Sequence, residues 1–285
     1  LLYDGEGFDA EMHLRIIKEQ RVTTFCAPPT IYRAFAQMDL SGYDLTSLRH
    51  CLGAGEPLNP EAMRFWKAAT GCDIYDGYGQ TETINSVANF PGMEVRPGSM
   101  GKPVPGVDVD IIDDEGNVVA DEDVGHIGVR ITDPWPPGLF HGYFKDGGAT
   151  KKSFRNGWYY TGDTARRDAD GYIWFVGRSD DIIGSSGYRI SPFEVESVLV
   201  EHAAVLESAV VAKPDKMRGE IVVAFITLAQ GYAPSDELKK DIQDYVKKQT
   251  APYKYPREIV FMDALPKTIS GKIRRVELRD AALKM

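Results

Sequence analysis

A change of rhythm along the chain sets the sharpest limit on its fold. Up to about residue 85, helical and strand patterns alternate. From about 97 to 179, short β-rich runs such as Val107 to Ile112, His126 to Ile131 and Tyr172 to Val176 follow one another across turns at Asp114-Glu115-Gly116-Asn117 and Ala169-Asp170-Gly171. Beyond about 180, helices return. Alternating helices and strands build a mostly parallel sheet covered on both faces, whereas closely spaced short strands build a small antiparallel barrel or a sandwich. The last 105 or so residues are long enough for an independent α+β domain.

Local signals sharpen this outline. Asp9 is placed to cap a helix that carries Met12, Ile16 and Ile17 on one side, and Val22 to Cys26 reads as a buried strand ending at Pro28-Pro29. Asn59, Pro60 and Gly71 mark the start and stop of a second helix, and Leu48 to Leu52 a strand before it. Ser191-Pro192-Phe193-Glu194 has the form of a capping box. Ser235 starts a helix with Leu238, Ile242, Tyr245 and Val246 inward, and with Asp236/Lys240 and Asp244/Lys248 four apart on the wet face.

The formal net charge of -9 disfavours nucleic acid and anionic membrane surfaces as partners. Neither a membrane-spanning apolar run nor a basic-then-apolar leader is visible, and Cys26, Cys51 and Cys72 are not closely spaced, so a cytoplasmic protein with reduced thiols is expected. The opening Leu1-Leu2-Tyr3 reads as the middle of a longer chain. Residues 1–180 hold ten more acidic than basic side chains, whereas 181–285 hold one more basic than acidic. The tail's cluster of Lys267, Lys272, Arg274, Arg275 and Arg279 is placed to face an anionic ligand.

Five motifs carry chemistry. Gly53-Ala54-Gly55-Glu56-Pro57-Leu58 follows a strand and lets backbone approach a flat ring or a phosphate, although a plain tight turn satisfies it equally. In Tyr75-Asp76-Gly77-Tyr78-Gly79-Gln80-Thr81-Glu82, Thr81 can donate to an oxygen and Glu82 can hold magnesium, which needs only one or two carboxylates when bound to phosphate. The same run could be a polar loop. Asp163, after Gly157 to Gly162, can accept both hydroxyls of a ribose. Arg178 and Arg189 offer forked donors for phosphate or ribose on either side of Asp180-Asp181, a stretch that also suits an exposed joint between domains. Lys272, after Ser270-Gly271, can reach a developing charge, or be an ordinary surface lysine; it lacks the spacing of a phosphate-binding P-loop.

In this order, the five motifs resemble the adenylate-forming superfamily of acyl-CoA synthetases, nonribosomal adenylation domains and luciferases, most nearly the medium-chain acyl-CoA synthetases. The resemblance covers essentially the whole chain. It implies an α/β and α+β multidomain fold: 1–96 as the end of a large α/β domain, 97–179 as a small β-barrel subdomain and 180–285 as a mobile α+β domain hinged near Asp180. It implies that Gly53, Ala54, Gly55, Glu56 and Pro57 bind adenine, with Asp76, Gly77, Tyr78, Gly79 and Gln80 beside the nucleotide. Thr81 and Glu82 would meet phosphate and magnesium, Asp163 the ribose, and Arg178 the nucleotide. Ser186, Gly187 and Arg189 would serve coenzyme A, and Lys272 would assist adenylation.

The implied reaction forms acyl-AMP and pyrophosphate from ATP and a medium-chain or branched carboxylic acid, then transfers the acyl group to coenzyme A with release of AMP. Gly79 stands where acetyl-specific relatives carry a tryptophan, so a longer or branched acyl group should fit. The family's phosphate loop is absent, so a missing N-terminal part is expected and this polypeptide should be nearly inactive alone. Thr83 and Ser191 replace glycines common in the family, and Gly184 a larger residue. An aryl-CoA ligase, a carrier-loading adenylation enzyme and a non-enzymatic nucleotide-binding module are the alternatives. A homo-oligomer is compatible with all of them.

Overall fold

A computed structural model describes residues 9–268 and 272–285. Two compact units divide the chain: the described residues up to Asp110 with Gly128–Tyr159 and Arg167–Trp174, and Ile111–Ile127 with Tyr160–Arg166 and the described residues from Phe175 onward.

The first part of the chain runs α1 (Ala10–Glu19), β1 (Thr24–Ala27), α2 (Pro29–Phe35), β2 (His50–Ala54), α3 (Pro60–Thr70), β3 (Ile74–Gln80), β4 (Ile84–Ala88) and β5 (Lys102–Pro103). The strands form one sheet in the order β1-β2-β3-β4-β5. The pairs β1/β2 and β2/β3 are parallel and those of β4 with β3 and β5 are antiparallel. The start and stop signals work as read. Asp9 accepts the Met12 amide, Asn59 accepts the Glu61 amide at 2.7 Å, and Gly71 ends α3 with φ 76°. Aromatic rings fill the core between helices and sheet: Trp66 stacks on Phe35 at 5.5 Å and meets the edge of Tyr32 at 5.3 Å.

Next come β6 (Val109–Ile112), β7 (Val124–Arg130), α4 (Gly147–Ser153), β8 (Phe154–Arg155), β9 (Trp158–Arg167) and β10 (Ile173–Arg178). They make a sheet ordered β10-β9-β7-β6, with β8 on β9, so the β-rich stretch is a sheet with one short helix inserted.

The tail comprises β11 (Ile183–Ser185), β12 (Tyr188–Ile190), α5 (Pro192–Leu199), β13 (Val205–Asp215), β14 (Gly219–Leu228), α6 (Asp236–Gln249), β15 (Glu258–Phe261) and α7 (Arg275–Leu283). Its sheet runs β12-β11-β14-β13, with β15 parallel to β14. One face packs Val195, Leu199, Ile242 and Val246 of α5 and α6, and the other Leu278 and Ala282 of α7. Two sequence details come out differently. Ser191 does accept the Glu194 amide at 3.1 Å, but the Glu194 carboxylate turns to Lys254 at 2.5 Å, so the box is not reciprocal. On α6, Asp236 and Asp244 pair with Lys239 and Lys247, three residues on, since either spacing brings side chains together on a helix surface.

Because Phe35 is wholly buried against Trp66, Phe35→Ala should cost about 3–5 kcal/mol of unfolding free energy in a urea titration. A loss below about 1 kcal/mol would mean that this aromatic cluster does not organise the first core.

Candidate functional site

In the first unit the parallel register of β2 and β3 sets Gly53 beside Asp76 and Ala54 beside Gly77. The chain leaves the sheet after Ala54, whereas β3 runs on past Gly77 to Gln80, so the turn after β2 begins beside the middle of β3, on the carboxyl side where a parallel sheet usually faces its ligand. A Cβ at Gly53 would stand 3.3 Å from both Ile74 Cγ2 and Leu58 Cδ2, and 3.6 Å from an Asp76 carboxylate oxygen, so the missing side chain makes the packing possible. Gly55 takes φ 98°, which turns the chain after β2. Pro57 is half-buried in that turn. Glu56 has a bracing contact set. Its carboxylate accepts the Thr30 amide at 3.0 Å and the Thr30 hydroxyl, and pairs with Arg33 at 3.2 Å. It thereby satisfies an orphan amide at the start of α2 and fixes the turn to that helix.

Asp76 is buried, and its carboxylate accepts the Gly77 amide at 3.0 Å. Loss of solvent pushes its carboxyl up to about 8, against the smaller opposing pull of that amide. A neutral carboxyl of this kind both donates and accepts. Beyond Tyr78 the β3/β4 pairing shifts register, and a Cβ on Gly79 would meet the Ile84 carbonyl oxygen at 1.8 Å. Glycine is thus required here for the two strands to close, and the side-chain volume it omits is occupied by backbone. Gln80 donates its amide to the Thr83 hydroxyl at 3.0 Å, and that hydroxyl donates to the Ile84 carbonyl at 2.9 Å. Thr83, in place of the family's glycine, is buried and ties the hairpin turn together.

Thr81 is exposed on that turn and Glu82 half-exposed. Three groups from later in the first unit hold the turn. Tyr159 donates to the Gln80 side-chain oxygen at 3.0 Å, Phe140 donates its amide to the Glu82 carbonyl at 2.8 Å, and Tyr143 donates to the Glu82 carboxylate at 3.2 Å. Sequence reading missed Phe140 and Tyr143 in this role. Their nearest signal is Gly142, which takes φ 144°, but nothing in the local pattern connects it with a turn some sixty residues earlier.

The second unit gathers Asp163 and the joint. Asp163 is buried on β9, and its amide donates to the Thr161 hydroxyl at 3.2 Å. Arg178 ends β10. Partial burial works against its charge, but Asp180 and Asp163 outweigh that and hold the guanidinium above its ordinary range. Its Nε donates to Asp180 at 3.2 Å. On the β11/β12 hairpin, Ser186 and Gly187 turn at φ 52° and 84°, and Arg189 is exposed opposite Gly184. The Ser186 amide donates to the Arg218 carbonyl at 2.8 Å, and Tyr188 stacks on Tyr253 at 4.0 Å.

Lys272 is exposed just before α7; Lys267 bridges Ile273, and Ile269, Ser270 and Gly271 lie outside the described residues. The basic cluster of the tail is mostly spent on internal pairs: Lys267 with Glu207 at 2.6 Å, Arg274 with Glu277 at 2.5 Å, Arg275 with Glu196 and Arg279 with Asp181. Among the described residues, no group of three His, Cys, Asp or Glu side chains could hold a metal, and no helix is long and apolar enough to cross a membrane.

The family model described as AMP-binding enzyme matches residues 1–144, and that of the AMP-binding enzyme C-terminal domain matches 194–272. Acyl-coenzyme A synthetase ACSM3, mitochondrial, of Rattus norvegicus is 52% identical over 274 residues, 95% of this chain and 47% of that protein. Acyl-coenzyme A synthetase ACSM4, mitochondrial, of Homo sapiens is 51% identical over 276 residues, 96% of this chain and 47% of its own length. Among solved structures, the anthranilate CoA ligase AuaEII in complex with anthranoyl-AMP superimposes with a TM-score of 0.90 at 40% identity, covering 99% of this chain and 54% of that one. A benzoate CoA ligase from Burkholderia xenovorans LB400 gives 0.83 at 36%, covering 96% and 54%. The chain spans about half the length of the curated relatives it matches.

These relatives overturn the expected cytoplasmic location, since their names place them in mitochondria. Unpaired cysteines separate oxidising from reducing compartments but cannot separate one reducing compartment from another.

Asp76 yields a pH prediction. Its folded pKa of about 8 lies above the ordinary 3.8, so between those values the folded chain keeps a proton that the unfolded chain releases. Stability should therefore fall as pH rises from about 4 to about 8 and level off above. Asp76→Asn removes that slope, and the melting temperature of the variant minus that of the parent should grow steadily over the interval. A difference independent of pH would contradict the burial argument.

Proposed function

The chain belongs to the AMP-binding enzyme family, and from that membership we propose that the full-length protein is an ATP-dependent acid-thiol ligase that makes acyl-coenzyme A through an acyl adenylate. The observation that carries the reading is the in-register pairing of β2 and β3, which sets Gly53 beside Asp76 and Ala54 beside Gly77 where the turn to Pro57 begins. Relatives near 50% identity are acyl-coenzyme A synthetases, which supports an acyl acid as substrate. They also support a mitochondrial location and a role in fatty acid metabolism.

A carboxylate is a poor acyl donor because its leaving group would be oxide. In the proposed first half-reaction, its oxygen attacks the α-phosphorus of ATP, the bond to the bridging oxygen breaks, and pyrophosphate leaves with that electron pair. In the second, the coenzyme A sulfur attacks the acyl carbon, the thiol proton is lost, and AMP departs.

Gly53 to Pro57, at the end of β2 and in the turn after it, would receive the adenine, with Asp76 to Gln80 of β3 beside the nucleotide, and the buried Asp76 carboxyl can offer both a donor and an acceptor. Asp163 would take the ribose hydroxyls, with Arg178 near the phosphate. Thr81 and Glu82 would meet the phosphate oxygens. The single Glu82 carboxylate, oriented by Tyr143, fits a magnesium ion that rides on ATP phosphates and needs few protein ligands; such an ion neutralises phosphate charge. Lys272 would add a positive charge during adenylation. Asp180 would be the pivot about which residues 181–285 turn, withdrawing Lys272 and presenting Ser186, Gly187 and Arg189 to coenzyme A. On this reading 1–96, 97–179 and 180–285 act as the three working parts.

The aromatic-acid reading rests on the anthranilate and benzoate ligases among the structural neighbours. At Gly79 the backbone of Ile84 occupies the space a side chain would fill, so the acyl pocket is proposed to lie beside that backbone, where a longer or branched chain would be accepted.

Two experiments test this. Giving full-length protein aliphatic and aromatic acids separately should yield acid-dependent pyrophosphate release and coenzyme A thioester, with aliphatic acids of medium length preferred. Pyrophosphate release without any acid requirement would reject the ligase reading. Lys272→Ala should slow adenylate formation by about 100-fold or more while changing thioester formation from supplied acyl adenylate by less than about threefold. Equal losses in both steps would remove Lys272 from its role.

A further inference from the structure

Within the second unit, Asp180 is bracketed by two anchored neighbours. Before it, the Ser179 amide donates to the Gly162 carbonyl at 2.9 Å, and the Ser179 hydroxyl lies 3.2 Å from His126 Nδ1, whose ring is held on its other nitrogen by Asp114 at 3.1 Å. After it, the Asp181 carboxylate receives Arg279 Nη1 and lies 4.0 Å from Arg275 Nε. Arg275 also forms a two-oxygen pair with Glu196, with Nη2 to Oε2 at 2.9 Å. The contrast in exposure separates the two adjacent aspartates: the Asp181 side chain is 13% exposed and that of Asp180 is 66%.

Arg275 and Arg279 lie one turn apart on α7. Leu278 and Ala282 of that helix are packed with Val211, Val223 and Phe225 of the tail sheet, so α7 is fixed to the body of the tail. Lys272 stands three residues before α7, with Ile273 packed against the same core.

We propose that Asp181 is a positioning residue for Lys272: clamped to α7, it is the first residue of the turning body, and it confines rotation to the backbone of Asp180. This rests on the proposed roles of Asp180 and Lys272. An unclamped Asp181 adds two further free dihedrals to the joint, and the tail then samples many orientations near the productive one. A point charge has to reach one phosphoryl oxygen, where a misplacement of about 1 Å is expensive in rate. A thiol on a flexible arm tolerates the same looseness, so adenylation suffers more than thioester formation.

The test uses full-length protein with Asp181→Asn, which removes the charge at nearly constant shape, and Arg279→Gln as a second variant should the first not fold. Each should lower kcat for adenylate formation about tenfold, leave KM for ATP and acid within about twofold, and leave thioester formation from supplied adenylate within about threefold. In a Lys272→Ala background Asp181→Asn should have no further effect on adenylation, because both act through the same ammonium group. Equal slowing of both half-reactions, or an undiminished effect in that background, overturns the proposal.

Amide hydrogen exchange, which needs no activity, should rise about tenfold from Asp181 to Ile183 in Asp181→Asn. Unchanged exchange there overturns the clamp. If the parent protein itself shows no acid-dependent pyrophosphate exchange, the proposed ligase function fails, and amide exchange still decides whether the clamp exists.

Discussion

The parallel pairing of β2 with β3, with Gly53 directly beside Asp76, is the constraint on which the first half of the site depends. It works because Gly53 has no side chain: the space where a Cβ would go is already closed in by Ile74, Leu58 and the Asp76 carboxylate. The same packing strips water from Asp76 and leaves it a neutral hydrogen-bonding group at neutral pH. The end of β2 and the middle of β3, remote in sequence, thus lie side by side, and Glu56 secures the turn after β2 to α2 through Thr30 and Arg33. The hairpin turn that carries Thr81 and Glu82 hangs from the far end of β3, and a shift in register at Gly79 sets its position.

Much of this was legible in the sequence because its causes are local. Asp9, Asn59, Ser191 and Ser235 each cap the helix they were read to cap, since a short polar side chain before a helical pattern has few other ways to be useful. The five motifs were legible for a related reason: glycine, proline and carboxylates crowded into short runs restrict the backbone strongly. Less visible were the contacts made at long range. Nothing near Gln80 or Glu82 announces that Tyr159, Phe140 and Tyr143 will hold them, because those groups arrive by tertiary folding some sixty to eighty residues later. Gly79 shows the limit from the other side. Its residue type suggested an opened pocket, and only the fold shows that Ile84 backbone occupies the side-chain space.

The basic tail teaches a similar lesson about charge. Read as a cluster, Lys267, Lys272, Arg274, Arg275 and Arg279 suggest an anion-binding surface, yet four of them sit in ion pairs with Glu207, Glu277, Glu196 and Asp181. The Arg275–Glu196 and Arg279–Asp181 pairs are the less exposed of these, and removing one partner of such a pair costs stability, so they serve to fix geometry more than to attract a ligand. The Arg279–Asp181 pair joins the segment after Asp180 to α7, which begins three residues beyond Lys272. Electrostatics that looked like recognition is largely architecture, and the charge proposed to act in adenylation is that of the exposed Lys272.

The central proposal is that Gly53 to Pro57 hold the adenine of a bound nucleotide and that Asp163 holds its ribose hydroxyls. The most direct measurement is a crystal structure of the full-length protein with a non-hydrolysable acyl-adenylate mimic, in which a sulfamate replaces the phosphate. The account predicts the adenine against Gly53 to Pro57 and both ribose hydroxyls within hydrogen-bonding distance of the Asp163 carboxylate. A mimic bound with its ribose away from Asp163, or with its adenine away from Gly53 to Pro57, would contradict it.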